Sequence, residues 1–153
     1  MTPTILLVED EANDVFLMTK TLNKAGVNSH IQVARDGQEA LDYLTGEGQF
    51  TNREKYPLPC LVLLDLKLPQ VMGLEVLRRL DQRRNFRRLV VIVLTSSQQP
   101  EDIDAAYDLG AKAYLVKPSG IDQLEPLVQA IKDFWLTQNR PPASSPALEK
   151  PSP

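Results

Sequence analysis

The sequence is poor in the features that mark a secreted, membrane-spanning or nucleic-acid-binding chain. Among 153 residues there is one cysteine, one histidine and one tryptophan. The lone Cys60 cannot close an internal disulfide, which removes the disulfide-stapled classes and suits a reducing, cytoplasmic home. The longest apolar run is the six residues Leu89 to Leu94, whereas a membrane helix needs about 20. At the N-terminus, MTPTILLVEDE carries no basic leader and its apolar stretch runs straight into acids, so it does not read as a signal peptide. Basic residues are not in excess. The 17 Lys+Arg and 20 Asp+Glu leave a net charge of -3, whereas a phosphate backbone calls for a basic stripe. Neither nucleic acid nor membrane is therefore expected as a partner.

What remains is the composition of an ordinary soluble domain, 42% hydrophobic and 24% charged, at a length that suits one core. The prolines are uneven, with Pro141, Pro142, Pro146, Pro151 and Pro153 crowded into the stretch RPPASSPALEKPSP. That stretch has no helical or strand period, so a disordered tail is expected over 140–153 and a folded domain over 1–139. No internal repeat is visible.

Three aliphatic runs read as strands: Ile5–Val8, Cys60–Leu64 and Leu89–Leu94. They do not alternate with polar residues, which suits a parallel sheet covered on both faces. His30–Ala34 and Lys112–Val116 are weaker strands. Helical periods lie between and after them, over Asn13–Ala25, Gln38–Leu44, Leu74–Leu80, Glu101–Leu109 and Leu124–Leu136. Gly26 and Gly110 stand where C-terminal caps belong. A βα unit repeated five times requires parallel strands and right-handed crossovers, and such sheets bind ligands beyond the carboxyl ends of their strands.

Those ends carry the chemistry. Glu9-Asp10-Glu11 follows the first strand, Asp65 the third, Thr95-Ser96-Ser97 the fourth and Lys117-Pro118 the fifth. In a parallel sheet they converge on one edge, where neighbouring carboxylates repel unless a cation joins them. Oxygen donors of this kind suit Mg²⁺. A lysine and a hydroxyl beside them are what a phosphoryl group needs to be held and neutralised. Any one of these residues alone is an ordinary turn or cap residue; the set together is not.

With those residues in view, the chain resembles the response-regulator receiver domains of two-component signalling. The resemblance spans residues 4–136 and rests on ILLVEDE (5–11), ARDGQEAL (34–41), LVLLDLKLP (61–69), VIVLTSS (91–97) and AYLVKP (113–118). The gaps agree: 30 residues from Asp65 to Thr95 and 22 from Thr95 to Lys117. It implies a doubly wound five-stranded α/β fold of flavodoxin-like topology, and a phosphoacceptor signalling protein rather than an enzyme, assisting only its own phosphotransfer and dephosphorylation. Asp65 is then the phosphoacceptor. Glu9, Asp10 and Asp65 hold Mg²⁺, Glu9 through water, with the backbone carbonyl of Lys67 completing the site. Lys117 pairs with a phosphoryl oxygen and Thr95 donates its hydroxyl to another. Tyr114 is the aromatic switch that turns with Thr95, and the Gln99–Leu109 helix responds. A cis Lys117–Pro118 bond is also implied. The donor is a phosphohistidine on a sensor histidine kinase, and the acyl phosphate expires by hydrolysis.

Departures are informative. The loop GEGQFTNREKYPLP before the third strand is long. Met72 stands where many receivers have a capping aspartate, so the next helix must be capped otherwise. Lys67 lies two residues beyond the acceptor, where its side chain can overhang the phosphoryl site and alter acyl-phosphate lifetime. The long loop and the ending Ile131-Lys-Asp-Phe-Trp-Leu136 resemble a subgroup of stand-alone receivers that serve bacterial and cyanobacterial phytochrome kinases. In the last helix Leu124, Val128, Ile131 and Trp135 form one stripe able to pack on the sheet. Leu127 and Phe134 flank that stripe and Leu136 lies off it. The four residues Leu127, Phe134, Trp135 and Leu136 are candidates for a homodimer surface, the alternative being a hydrophobic end that folds back on the core.

Other features read as structural: Arg78, Arg79, Arg83, Arg84, Arg87 and Arg88 as a solvated face, His30 as a strand residue, Cys60 as inert packing in a buried strand. Three rival functions exist. An aspartate-dependent phosphatase of the haloacid-dehalogenase type needs a second aspartate where Lys67 stands. A nucleotide or flavin binder needs a glycine-rich phosphate loop where the acids stand. A phosphorylation-independent receiver-like scaffold has no use for the complete acid, Thr and Lys set.

Overall fold

The computed structural model describes residues 3–138. The elements follow the expected alternation: β1 (Thr4–Val8), α1 (Ala12–Lys24), β2 (His30–Ala34), α2 (Gly37–Thr45), β3 (Leu61–Leu64), α3 (Gly73–Asp81), β4 (Val91–Thr95), α4 (Pro100–Asp108), β5 (Ala113–Val116) and α5 (Ile121–Ile131). All five strands are parallel in the order β2-β1-β3-β4-β5. This is the doubly wound receiver topology that the resemblance implies.

The continuous aliphatic runs are explained by two cores. Leu6, Val8, Val62, Leu64, Val91 and Val93 point to one face, under Leu41 and Leu44 of α2, Val76, Leu77 and Leu80 of α3, and Ala106 of α4. Their neighbours Ile5, Leu7, Leu61, Leu63, Ile92 and Leu94 point to the other, under Val15, Met18 and Leu22 of α1 and Leu124, Val128 and Ile131 of α5. Successive strand residues alternate faces, so a strand buried on both sides must be apolar throughout. Truncating a central residue such as Leu63 or Ile92 to alanine costs about 2–5 kcal/mol. Gly26 and Gly110 take positive φ (80° and 103°) just beyond α1 and α4, the backbone that ends a helix tightly.

Several boundaries differ from the sequence reading. β3 begins at Leu61, β4 at Val91 and β5 at Ala113, so Cys60, Leu89, Val90 and Lys112 lie outside the strands. Cys60 still donates its N–H to Thr4, but its side chain stands past the first cross-strand pair, Ile5 with Leu61, and the residue is exposed rather than buried packing. α5 stops at Ile131 and continues as a π-helical segment, Lys132–Gln138. That wider winding lays Trp135 and Leu136 against the core below α1 and α5 and leaves Phe134 56% exposed. Leu127 is half-buried on the same core. The Lys117–Pro118 peptide is trans, since the described residues contain no cis bond; trans is the lower-energy isomer by about 0.5–1 kcal/mol even before proline. The stretch 140–153, expected to be disordered, lies outside the described residues.

The long loop is tied down rather than loose. Arg53 donates to the carbonyls of Tyr43 (2.7 Å), Leu44 (2.8 Å) and Tyr56 (3.0 Å), capping the end of α2, where the helix dipole favours a cation. Tyr43, Phe50 and Tyr56 meet edge to face with centroids 5.0 to 6.2 Å apart. The Tyr43 hydroxyl donates to Pro57 at 2.6 Å. Burial pushes that phenol up to about 12, so it stays a donor. In the arginine-rich stretch, Arg78 and Arg79 pair with Glu75, and Arg83, Arg84, Arg87 and Arg88 are exposed.

Candidate functional site

Glu9, Asp65 and Lys117 are each the first residue beyond a strand and still sit in the ladder. Glu9 donates its N–H to Ala34 (2.9 Å), Asp65 to Val8 (3.1 Å) and Lys117 to Thr95 (2.8 Å). β1, β3 and β5 therefore deliver an acid, an acid and a base to one edge at fixed height, with β4 between the last two. Close packing behind Asp65 holds it there. A Cβ on Gly73 would stand 2.4 Å from the Asp65 carbonyl oxygen and 2.7 Å from Leu66 Cα. The N-terminus of α3 can therefore approach β3 this closely only with glycine. Gly73 N–H donates to Leu66 O at 2.9 Å, and α3 has no side-chain cap, as Met72 requires. The loop after Asp65 then turns at Gln70, whose φ is 66°, while Val71 N–H reaches Pro69 O at 2.8 Å. That is a γ-turn of the strained, positive-φ kind.

Lys117 is the hub. Its ammonium donates to Glu9 Oε1, to Asp65 Oδ2 at 2.9 Å and to Asp14 Oδ2 at 3.0 Å. Three N–H groups meet three carboxylates, so the lysine is saturated. Glu9 and Asp65 are buried, at 3% and 7% exposure. Lys67 N–H donates to Asp65 Oδ1 at 3.3 Å, and the Lys67 side chain points to solvent. Glu11 N–H donates to Glu9 Oε2 at 3.2 Å.

The two buried acids differ in ionisation. Burial works against the charged form of both. For Asp65 it is overcome by hydrogen bonds and attraction from Lys117, with Thr95 and the Lys67 N–H assisting, so its carboxyl lies below the ordinary value. For Glu9 burial prevails, reinforced by repulsion from Asp65 and opposed by Lys117, and its carboxyl is pushed up to about 7. Burial would lower Lys117, but its bonds to Glu9 and Asp65 outweigh that and hold the ammonium charged.

Thr95 is fully buried at the end of β4, and its Oγ1 has no hydrogen-bond partner. The hydroxyl lies near enough to Asp65 to favour the carboxylate, but not in hydrogen-bonding geometry. Tyr114, half-buried on β5, donates its hydroxyl to Ser97 O at 2.9 Å; Ser97 Oγ in turn donates to Asp102 in the first turn of α4 at 2.5 Å. The aromatic ring thus leans on the loop that follows Thr95.

One oxygen each of Glu9, Asp10 and Asp65 lies within 4.8 Å of the others. Three hard oxygen donors, two of them buried and mutually repelling, fit a divalent cation such as Mg²⁺. The residues expected at the strand ends are therefore brought together. Asp14 was not foreseen. It sits in the first turn of α1, where an acid reads as an ordinary helix-dipole residue, and only the fold places it on Lys117. Among the described residues no helix is long and apolar enough to cross a membrane.

Comparison with known proteins agrees with this geometry. The response regulator receiver domain family matches residues 5–129. The probable methanogenesis regulatory protein FilR2 of Methanothrix harundinacea is 39% identical over 90% of this chain and 86% of its own. Response regulator Rcp1 of Synechocystis is 37% identical over 92% and 93%. The Mn²⁺-bound form of Rcp1 superposes with a TM-score of 0.83, covering 92% of this chain and 99% of that one. The phosphorylated cyanobacterial phytochrome response regulator RcpA, 36% identical, superposes with a TM-score of 0.86 over 94% and 100%. With its parallel sheet, its acidic edge and its lysine hub, the chain belongs to the response regulator receiver domain family.

Proposed function

We propose that this chain is a phosphoacceptor switch, in which Asp65 takes a phosphoryl group from a phosphohistidine of a sensor kinase. The observation that carries the reading is the state of Asp65: buried, yet held as a carboxylate by Lys117. A buried charge is costly unless it is used or paired, and a carboxylate is the nucleophile this reaction needs. One Asp65 oxygen bonds to phosphorus as the phosphorus–nitrogen bond breaks, and the imidazole leaves with the electron pair. Glu9, Asp10 and Asp65, with the Lys67 carbonyl, hold Mg²⁺, which offsets charge on acceptor and phosphoryl oxygens. Lys117 turns from the Asp65 oxygen to a phosphoryl oxygen. Alignment and charge neutralisation supply most of the catalysis.

The buried Thr95 hydroxyl supports this reading, because its missing acceptor is what a phosphoryl oxygen provides. As Thr95 engages it, Tyr114 loses its lean on the Ser97 loop and α4 responds. The kinase is a phytochrome, by likeness to RcpA, a phytochrome response regulator. Homodimerisation uses the π-helical segment after α5, where the exposed Phe134 stacks edge-on to Trp135 (centroids 5.0 Å), with Leu127, Trp135 and Leu136 contributing what their packing on the core leaves exposed. The folded unit is 1–139, the tail 140–153 lies beyond it, and the protein acts in the cytoplasm. The test is intact mass after incubation with a small acyl-phosphate donor, with Mg²⁺ or with chelator, beside Asp65→Asn. One phosphoryl adduct that requires both Mg²⁺ and Asp65 is expected. An equal adduct on Asp65→Asn overturns the assignment.

A further inference from the structure

Lys117 has one more carboxylate than the switch chemistry uses. Glu9 and Asp65 are both needed elsewhere: as cation ligands, and in the case of Asp65 as the acceptor. A cation that draws them away strips the ammonium of two of its three partners. Lys117 is only 19% exposed, so water replaces those partners poorly, and a poorly solvated ammonium without partners is costly. Asp14 is the third partner, at 3.0 Å. It belongs to neither the cation cluster nor the acceptor, and it reaches the lysine from α1 rather than from the sheet edge. Both residues line the same cavity of about 110 Å³ between α1 and the β5–α5 loop, with Leu17, Met18, Pro118 and Ile121 around them. Apolar walls there leave the ammonium few other acceptors.

We propose that Asp14 is a positioning residue that holds Lys117 while the divalent cation claims Glu9 and Asp65, so that cation binding depends on Asp14 through the lysine. This inference rests on the proposed Mg²⁺ site. Asp14 also cancels the positive charge that the cation would otherwise face. At 43% side-chain exposure its influence is partly screened by water, which limits the size of the effect.

The test is Mg²⁺ affinity by calorimetry on the full chain. Asp14→Asn is expected to weaken binding about 3- to 10-fold, the range of a screened charge pair. Asp14→Glu, whose longer arm still reaches the lysine, is expected to stay within about twofold of the parent. The deciding comparison repeats Asp14→Asn in a Lys117→Met background. If Asp14 acts through the lysine, its effect falls below half there. An equal loss in both backgrounds makes Asp14 merely a nearby charge and overturns the proposal, as does unchanged affinity in Asp14→Asn. A parent protein that binds no Mg²⁺ overturns the metal site itself, and with it the proposed function, which keeps the two failures apart.

Discussion

Lys117 and Asp65 stand 52 residues apart in the chain, yet the ammonium of one lies 2.9 Å from the carboxylate of the other. β3 and β5 do not touch; β4 separates them, and each residue is placed by the first ladder hydrogen bond beyond its own strand. The pair keeps the Asp65 carboxylate ionised in a buried place, as the proposed acceptor role requires. It also leaves Glu9 in the poorer position, sharing the same ammonium beside a second negative charge.

That inequality has a pH signature. The Glu9 carboxyl is raised from 4.5 to about 7, first by burial and then by repulsion from Asp65. Its folded-state value exceeds the unfolded one, so the folded protein binds the proton more tightly. The stability it contributes is complete below pH 4.5 and is lost as pH rises through about 7. In chelator, urea unfolding should show a loss of about 2–3 kcal/mol between roughly pH 5 and pH 8. Glu9→Gln should flatten that slope. Asp65, lowered instead, acts with the opposite sign and only in the acid range, below its ordinary 3.8. A parent protein whose stability is level from pH 5 to pH 8 contradicts the account of Glu9.

The unpartnered Thr95 hydroxyl predicts an inverse relation between stability and function. Thr95→Val removes a buried hydroxyl that has no hydrogen-bond partner and only favours the Asp65 carboxylate from nearby, so the variant should be more stable by about 1 kcal/mol. Its Tyr114 resonance or fluorescence should no longer change on phosphorylation. A destabilised Thr95→Val means that the hydroxyl has a partner in the resting protein.

Gly73→Ala tests the packing behind the acceptor. The new methyl group meets backbone on both near contacts, and backbone cannot swing aside as a side chain can. Thermal unfolding should show a loss of about 2–4 kcal/mol. Whatever folded protein remains should accept phosphoryl groups more slowly, because the Asp65–Leu66 backbone must move.

Arg53→Ala separates scaffold from site. Three carbonyls at the end of α2 and in the long loop lose a charged donor, which should cost about 2–3 kcal/mol. The rate of acceptor phosphorylation should stay within about twofold of the parent, since Arg53 bonds to none of the site residues. A large drop in that rate places the loop in the switch.

The fold and most of the site were legible because both follow from short-range rules. Runs such as Leu61–Leu64, apolar on both faces, announce a covered parallel strand. Parallel strands then send Glu9, Asp65, Thr95 and Lys117 to one edge whatever the details between. Asp14 was illegible because its partner lies 103 residues away and its own position, the first turn of a helix, suits any acid. Arg53 was hidden similarly, since an arginine in a polar loop shows nothing until α2 ends beside it. Cys60 and the end of α5 were misjudged where a pattern outran its element. An apolar residue at a strand's edge can turn outward, and a helical stripe can persist while the winding widens from α to π.

The most direct measurement of the central claim is chemical location of the adduct. The protein is phosphorylated with an acyl-phosphate donor and Mg²⁺, the product is reduced with borohydride, and the peptides are sequenced by mass. Reductive conversion at position 65 alone, absent when chelator replaces Mg²⁺, is the predicted result. Label on Glu9 or Asp10, or label at Asp65 that forms equally well in chelator, contradicts the account.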